Sequence, residues 1–193
     1  MNDAARTAHR RVYTGRVLNL DIDTVRFPDG SIGDLEIIRH SGASAVVPML
    51  DEPTVENPRI VLIRQYRYAA NGFVYEIPAG RLDAGETPAA CAQRELEEET
   101  GYRAEHLQPL VSILTTPGFT DERIHLFAAW GLTTGQQRRE RDEFLETVEL
   151  RFSDVLQLLL RGEIPDAKTA LALLFLDKFG RARQPVVKHG GSL

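Results

Sequence analysis

The chain has 193 residues, a length that fits one domain or one domain with a small appendage. It carries 28 acidic against 23 basic side chains, a formal charge of −5, so we expect no nucleic-acid partner. The single cysteine, Cys91, excludes an internal disulfide and a thiolate zinc site. The first residues lack an apolar signal segment, and the longest apolar run, residues 170–176, is too short for a membrane span. We therefore expect a cytoplasmic protein without membrane contact.

The N-terminal part of the chain is rich in strand patterns. Residues 12–27 are predicted to form one strand, because Leu18, Leu20 and Ile22 alternate with polar residues over 18–23. Residues 28–30, Pro-Asp-Gly, are typical of a turn, and residues 35–38 are predicted to return as a second strand. These patterns predict a small strand-rich subdomain over residues 1–42.

The remaining residues, 43–193, mix both kinds of element and are predicted to form the main domain. Strands are predicted at residues 43–50, 59–66, 110–114, 124–130 and 147–152. Helices are predicted near residue 88 and at residues 154–161 and 167–179, with Ser153 as the N-cap of the second. This order of elements indicates the α/β class.

One helix carries the strongest chemical signal. Thr87 and Pro88 are typical of a helix start, and Gly101 is typical of a helix end, so the helix is predicted at about residues 88–100.

Three glutamates share one side of this helix. At 100° per residue, Glu95, Glu98 and Glu99 fall within an arc of about 100°. Like charges so arranged repel each other, and they lie near the helix end that disfavours negative charge. A hard cation such as Mg²⁺, which prefers carboxylate oxygens, would offset both costs. A solvated acidic face is the alternative, and the helix alone does not decide between the two.

Residues 80–102 resemble the Nudix box, Gly-x5-Glu-x7-Arg-Glu-apolar-x-Glu-Glu-x-Gly-apolar. The matching positions are Gly80, Glu86, Arg94, Glu95, Leu96, Glu98, Glu99, Gly101 and Tyr102. The resemblance implies an α/β/α sandwich with a mixed sheet. It also implies a hydrolase that uses Mg²⁺ or Mn²⁺ on a nucleoside diphosphate linked to another group.

The resemblance assigns roles to residues of the box. The implied metal ligands are Glu95, Glu99, Glu98, the Ala79 carbonyl oxygen and Glu86, the last either as a ligand or as a partner of the ligands. Glu98 and Glu99 are thereby catalytic candidates. Arg94 is expected to pair with the carboxylates and orient them.

Stretches outside the box resemble the ADP-ribose pyrophosphatase branch of this family. They are residues 64–67, 75–80 and 116–122, and Pro117 lies 16 residues beyond Gly101. In relatives, the residue before this proline and the glycine after it contact substrate, so the resemblance implies the same for Thr116 and Gly118. An ordinary turn between two strands is the alternative.

Two further charged residues are substrate-binding candidates. Arg67 closes a predicted strand, from which its guanidinium could pair with a phosphate, unless it is a plain surface charge. Asp83, in the loop before the helix, could reach a metal-bound water or a ribose, or simply face solvent.

A charge run at residues 138–146 precedes the last predicted strand. In the family, a loop here supplies a glutamate that positions or deprotonates the attacking water. Glu143, directly before an apolar pair, fits this role best, and Glu140 is the fallback. A solvated loop is the alternative.

These expectations combine into one hypothesis: hydrolysis of ADP-ribose to AMP and ribose 5-phosphate with Mg²⁺ or Mn²⁺. Another nucleoside diphosphate sugar, such as GDP-mannose, is the first alternative, because the residues of the box do not discriminate between nucleobases. A non-hydrolysing ADP-ribose sensor is the second, although the intact box argues against it. The resemblance also implies a homodimer to which the N-terminal strands contribute.

Overall fold

The computed structural model of the protein describes residues 5–135 and 144–180. The strands are β1 (Arg6–Thr14), β2 (Asn19–Arg26), β3 (Ile32–Arg39), β4 (Ala43–Pro48), β5 (Arg59–Arg67), β6 (Gly72–Glu76), β7 (Ala79–Arg81), β8 (Tyr102–Leu114), β9 (Arg123–Thr134) and β10 (Leu145–Arg151). The helices are α1 (Pro88–Thr100), α2 (Phe152–Leu160) and α3 (Ala167–Phe175), the last continued by a π-helical turn over Leu176–Gly180.

The strands form three sheets. β1, β2 and β3 form an antiparallel sheet at the N-terminus, and a second sheet has the order β10-β5-β6. The third has the order β7-β4-β9-β8, in which β4 and β9 run parallel and the other neighbours antiparallel. The predicted mixed sheet is thus confirmed.

The side chains of strand β4 pack against helices on both faces of this sheet. It is buried along its whole length, as expected for a strand covered on both faces. Val46 packs with Ala92 and Leu96 of α1, whereas Ala45 and Val47 belong to the other core, which contains residues of α2 and α3. Because successive side chains of a strand point to opposite faces, the sheet lies between two helical layers. The predicted α/β/α sandwich is confirmed.

The prediction of one strand over residues 12–27 was wrong. The chain turns back between β1 and β2, where the Gly15 N–H donates to the Leu18 carbonyl at 2.9 Å. A Cβ at Gly15 would lie 2.7 Å from the Tyr13 ring, so a residue without a side chain fits this turn. The alternation covers only residues 18–23, so it carried no information about the residues on the other side of this turn.

Strand β8 is also longer than the predicted residues 110–114. It pairs with β9 from Tyr102 to Leu114, with an irregularity between Pro109 and Val111. The strand lies at the edge of its sheet, where exposed polar side chains weaken the apolar pattern. Strands β6 and β7 were not predicted.

The predicted ends of α1 are confirmed. The Thr87 hydroxyl oxygen accepts from the Ala90 N–H at 3.2 Å, and Gly101 has a φ of 76° and donates its N–H to the Glu97 carbonyl. The described residues contain no helix long and apolar enough to cross a membrane.

The prediction that Ser153 caps the next helix was wrong. Helix α2 begins at Phe152, and Arg151 in the N-cap position makes no side-chain cap. Asn57, from the loop before β5, accepts from the Ser153 N–H at 2.9 Å and donates to the Ser153 hydroxyl at 3.0 Å. A residue distant in sequence therefore accepts the hydrogen bond from a free backbone N–H at the start of α2.

The substitution Asn57→Ala tests this cap. It should lower the free energy of unfolding by about 1 kcal/mol, the usual cost of removing a helix cap. Ser153→Ala leaves the backbone N–H bonded to Asn57, so its cost should be less than half as large. Urea unfolding of both variants measures the difference, and an equal or larger cost for Ser153→Ala would contradict the assignment.

Candidate active site

Arg94 lies at the centre of the carboxylates of the box. Its guanidinium donates two hydrogen bonds of 2.9 Å to Glu86, one of 2.6 Å to Glu95 and one of 3.0 Å to Glu98. Hydrogen bonding to Arg94 lowers the pKa of Glu86 to about 2, so this carboxyl is ionised at neutral pH. The predicted role of Arg94 as the partner of the box carboxylates agrees with this geometry.

Glu99 occupies the buried end of the cluster. Its carboxylate is 2 % exposed and accepts from the Ala79 N–H at 3.0 Å, which brings the start of β7 next to α1. The structure therefore places Ala79 beside a predicted ligand. The metal contact of its carbonyl oxygen stays a prediction.

Gly80 makes the close approach of β7 and α1 possible. A Cβ at this position would overlap the Glu95 carboxylate, so only glycine fits here without displacing that side chain. Glu95 is itself nearly buried, at 9 % exposure.

The cluster fits a hard divalent cation. Its donors are carboxylate oxygens beside backbone, the set that Mg²⁺ and Mn²⁺ prefer. The nearby Cys91 thiol points instead to the carbonyls of Gly80 and Arg81, at 3.5 and 3.4 Å. Burial first, and then the charge of Glu95, raise the pKa of this thiol to about 11, so it supplies no thiolate at neutral pH.

A cleft of about 1160 Å³ opens at this cluster. Its lining includes the predicted residues Glu95, Glu98, Glu99, Ala79, Arg67, Asp83 and Thr116. Gly118 and Glu86 are not among the described residues that line it. Glu86 reaches the cluster through Arg94 instead. The Asp83 carboxylate is mostly exposed, and its backbone N–H donates to Glu86 at 3.0 Å.

Arg67 enters the cleft held by a buried carboxylate that the sequence did not point to. Glu76, 3 % exposed, accepts from Arg67 Nε at 2.7 Å and from Nη2 at 3.0 Å. It also accepts from Lys168 Nζ at 2.5 Å. Burial raises the pKa of Glu76, but the hydrogen bond from Arg67 and the charge of Lys168 outweigh it, and the pKa lies below its usual value.

Lys168 is a second missed residue, and it lines the same cleft. It lies in the first turn of α3. The Asp166 carboxylate caps the start of this helix by accepting from the Thr169 N–H at 3.0 Å. A cation is disfavoured at this end of a helix. That misplacement was the signal that could have identified Lys168 as a residue with a specific anionic partner.

The remaining candidates, Glu140 and Glu143, lie outside the described residues, so their roles stay predictions.

The NUDIX domain model matches residues 40–174, a range that contains the box and every described residue of the cleft lining except Val17. The chain belongs to the Nudix family. The predicted family is therefore confirmed.

Curated Nudix relatives match nearly the whole chain. The methanol dehydrogenase activator of Bacillus methanolicus is 41% identical over 181 residues, covering 93% of this chain and 92% of its own. The ADP-ribose pyrophosphatase of Bacillus subtilis (strain 168) is 40% identical over 171 residues, covering 88% and 90%. A crystal structure of an ADP compounds hydrolase superposes with a TM-score of 0.76 at 22% identity, covering 93% and 96%, which supports the fold.

Gly80→Ala tests the geometry of the Nudix box. The new methyl group would displace the Glu95 carboxylate, and misplacement of a catalytic group by about 1 Å can cost about a hundredfold in rate. We therefore expect kcat to fall by about that factor, with the chain still folded by circular dichroism. Gly72→Ala is the matched control, because a Cβ there meets nothing within 4 Å. Equal activity of the two variants would contradict the proposed contact.

Proposed function

We propose that this Nudix protein hydrolyses the diphosphate of ADP-ribose, releasing AMP and ribose 5-phosphate, with Mg²⁺ or Mn²⁺ as cofactor. The observation that carries the proposal is one cleft lined both by box carboxylates and by cationic side chains, among them Arg67 and Lys168. Carboxylates can hold a divalent metal and cations can hold phosphate oxygens, so the cleft suits a metal-bound diphosphate. The ADP-ribose pyrophosphatase relative, matched along most of its length, supports this choice of substrate.

The metal would be held by Glu95, Glu98, Glu99 and the Ala79 carbonyl oxygen, with Glu86 beside them. Bound there, it would neutralise charge on the diphosphate and lower the pKa of a coordinated water. Arg94 holds Glu95 and Glu98 in place, which would limit the rearrangement that metal binding requires.

Arg67 and Lys168 would bind oxygens of the diphosphate. Glu76 accepts hydrogen bonds from both cations, so their positions are fixed before substrate binds. Groups ordered in this way stabilise developing charge without reorganising during the reaction. Thr116, Gly118 and Asp83 are proposed to contact the rest of the substrate.

Glu143 is proposed to orient the attacking water or accept its proton, with Glu140 as the fallback. Both residues lie outside the described residues, and the proposal rests on their place in the sequence.

Glu99→Gln tests the metal site. The substitution keeps the size of the side chain but removes a charged oxygen ligand, so kcat should fall by about a hundredfold or more. Glu97→Gln is the matched control on the same helix, because Glu97 pairs with Arg103 at 3.4 Å and does not line the cleft. Steady-state AMP release with Mg²⁺ measures both, and an unchanged rate for Glu99→Gln would contradict the metal assignment.

A panel of nucleoside diphosphate sugars tests the substrate. We expect kcat/KM for ADP-ribose to exceed that for GDP-mannose by about tenfold or more, with EDTA abolishing and Mg²⁺ or Mn²⁺ restoring turnover. A preference for GDP-mannose would establish the alternative substrate. Binding of ADP-ribose without AMP release would instead indicate a sensor.

The similarity to a methanol dehydrogenase activator favours a second candidate function, in which this chain stimulates a dehydrogenase. The two candidates are compatible if the Nudix reaction is the means of activation. The rate of methanol oxidation by methanol dehydrogenase, with the wild-type chain and with Glu99→Gln, would distinguish hydrolysis from simple binding.

We further propose that the protein is a cytoplasmic homodimer, with residues 1–42 as a subdomain for dimerisation and substrate contact and residues 43–193 as the Nudix domain. The support is the N-terminal sheet, where Val12, Tyr13 and Ile32 are about half exposed. Apolar side chains on one small sheet suit a protein partner.

A further inference from the structure

The loop between β8 and β9 is attached to the N-terminal sheet. This loop, residues 115–122, carries the proposed substrate contact Thr116. The Ile38 N–H of β3 donates to the Phe119 carbonyl at 2.8 Å, and the Ile38 carbonyl accepts from the Thr120 hydroxyl at 3.1 Å. Ile38 and Thr120 form a parallel bridge, although 82 residues separate them.

Asp121 strengthens this attachment with its side chain. Its Oδ1 accepts from the His40 N–H at 2.8 Å, and its Oδ2 accepts from Arg39 Nη1 at 3.3 Å. One carboxylate therefore holds two successive residues at the end of β3.

Arg39 is itself a rigid partner. It donates to Asp21 and to Asp23, both only 2 % exposed. Hydrogen bonding, first from Arg11, keeps the pKa of Asp21 well below its usual value, so this buried carboxylate stays charged. Buried charges require their partners, so Arg39 has little freedom to move away from them. His9 joins the two aspartates in a group that could hold a metal, and the same two carboxylates accept hydrogen bonds from Arg11 and Arg39.

The attachment shapes the wall of the cleft. His40 and Ser41 line the cleft from one side of the attachment, and Thr115, Thr116 and Glu122 line it from the other. His40 Nδ1 lies 3.5 Å from Glu122 Oε1, and the Thr115 hydroxyl donates to Glu122 at 2.8 Å. This part of the wall is thus built from two segments that meet at Asp121.

We propose that Asp121 is a positioning residue for the substrate. It does not line the cleft, but it joins the His40 segment to the Thr116 segment and orders this wall before substrate binds. The wall is distinct from the box glutamates, and we propose that it contacts the part of the substrate that does not react, so that it would bind substrate and transition state alike. Loss of such uniform binding raises KM and leaves kcat nearly unchanged. The choice of substrate for the test rests on the proposed function.

The test compares Asp121→Asn with Asp51→Asn. Asp51 does not line the cleft, but its carboxylate makes the same two kinds of hydrogen bond. Asp51 also accepts from a backbone N–H and from a guanidinium, both of Arg59, at 2.8 and 2.9 Å. Loss of a charged hydrogen bond should raise KM for ADP-ribose about tenfold in Asp121→Asn, with kcat within about twofold of wild type. Asp51→Asn should change neither constant. A fall in kcat at constant KM, or equal effects of both variants, would overturn the proposal.

Hydrogen exchange without substrate tests the same attachment independently of the reaction. Asp121→Asn should speed exchange in peptides covering residues 36–42 and 115–123, and Asp51→Asn should leave both peptides unchanged. If wild type does not turn over ADP-ribose, the proposed function fails, and exchange still decides whether Asp121 orders the wall. Thr120→Val removes the bond to the Ile38 carbonyl and the bond that the Thr120 hydroxyl accepts from the Glu122 N–H. It should raise KM to a smaller extent, so the proposal can be tested even if Asp121→Asn is unstable. Unchanged exchange in both peptides would overturn it.

Discussion

The candidate site depends on the bonds from one guanidinium to three carboxylates. Without Arg94, the glutamates of the box would repel one another at the C-terminal end of a helix, where negative charge is already disfavoured. The cation lowers that repulsion, and Glu95 and Glu98 still line the cleft. The helix is therefore compatible with a dense anionic cluster. The close approach of Gly80 and the backbone bond to Glu99 are arranged around this cluster.

Local signals in the sequence were sufficient for the part of the site on α1. Thr87 and Gly101 act on their own neighbours, so the limits of the helix and the common face of its glutamates follow from helical geometry alone. The cap of α2 could not be predicted in this way. Asn57 lies nearly 100 residues from Ser153, and a nearby serine is a reasonable but wrong choice when the distant residue is unknown.

Features that depend on tertiary contact were missed for the same reason. Glu76 and Lys168 come from a strand and a helix 92 residues apart, and their pairing beside Arg67 is visible only after folding. The attachment of β3 to the loop at Asp121 is equally non-local. The turn at Gly15 shows a different limit, because the alternating residues 18–23 lie on one side of the turn and do not show where their strand begins. Thus the helix of the box and the shared face of its glutamates were predictable, whereas the contacts of Glu76, Lys168 and Asp121 were not.

The capped helix α1 has a consequence for how the family motif can vary. Its 13 residues are bounded by a fixed start and a fixed end, so its length sets where each glutamate faces. Inserting one residue before Glu95 would rotate every later side chain by about 100° and shift it by about 1.5 Å along the axis. Glu99 would then lose the Ala79 N–H, and Arg94 could no longer reach its three partners together. Substitutions between the defined positions would leave this geometry unchanged, whereas a change in their spacing would not.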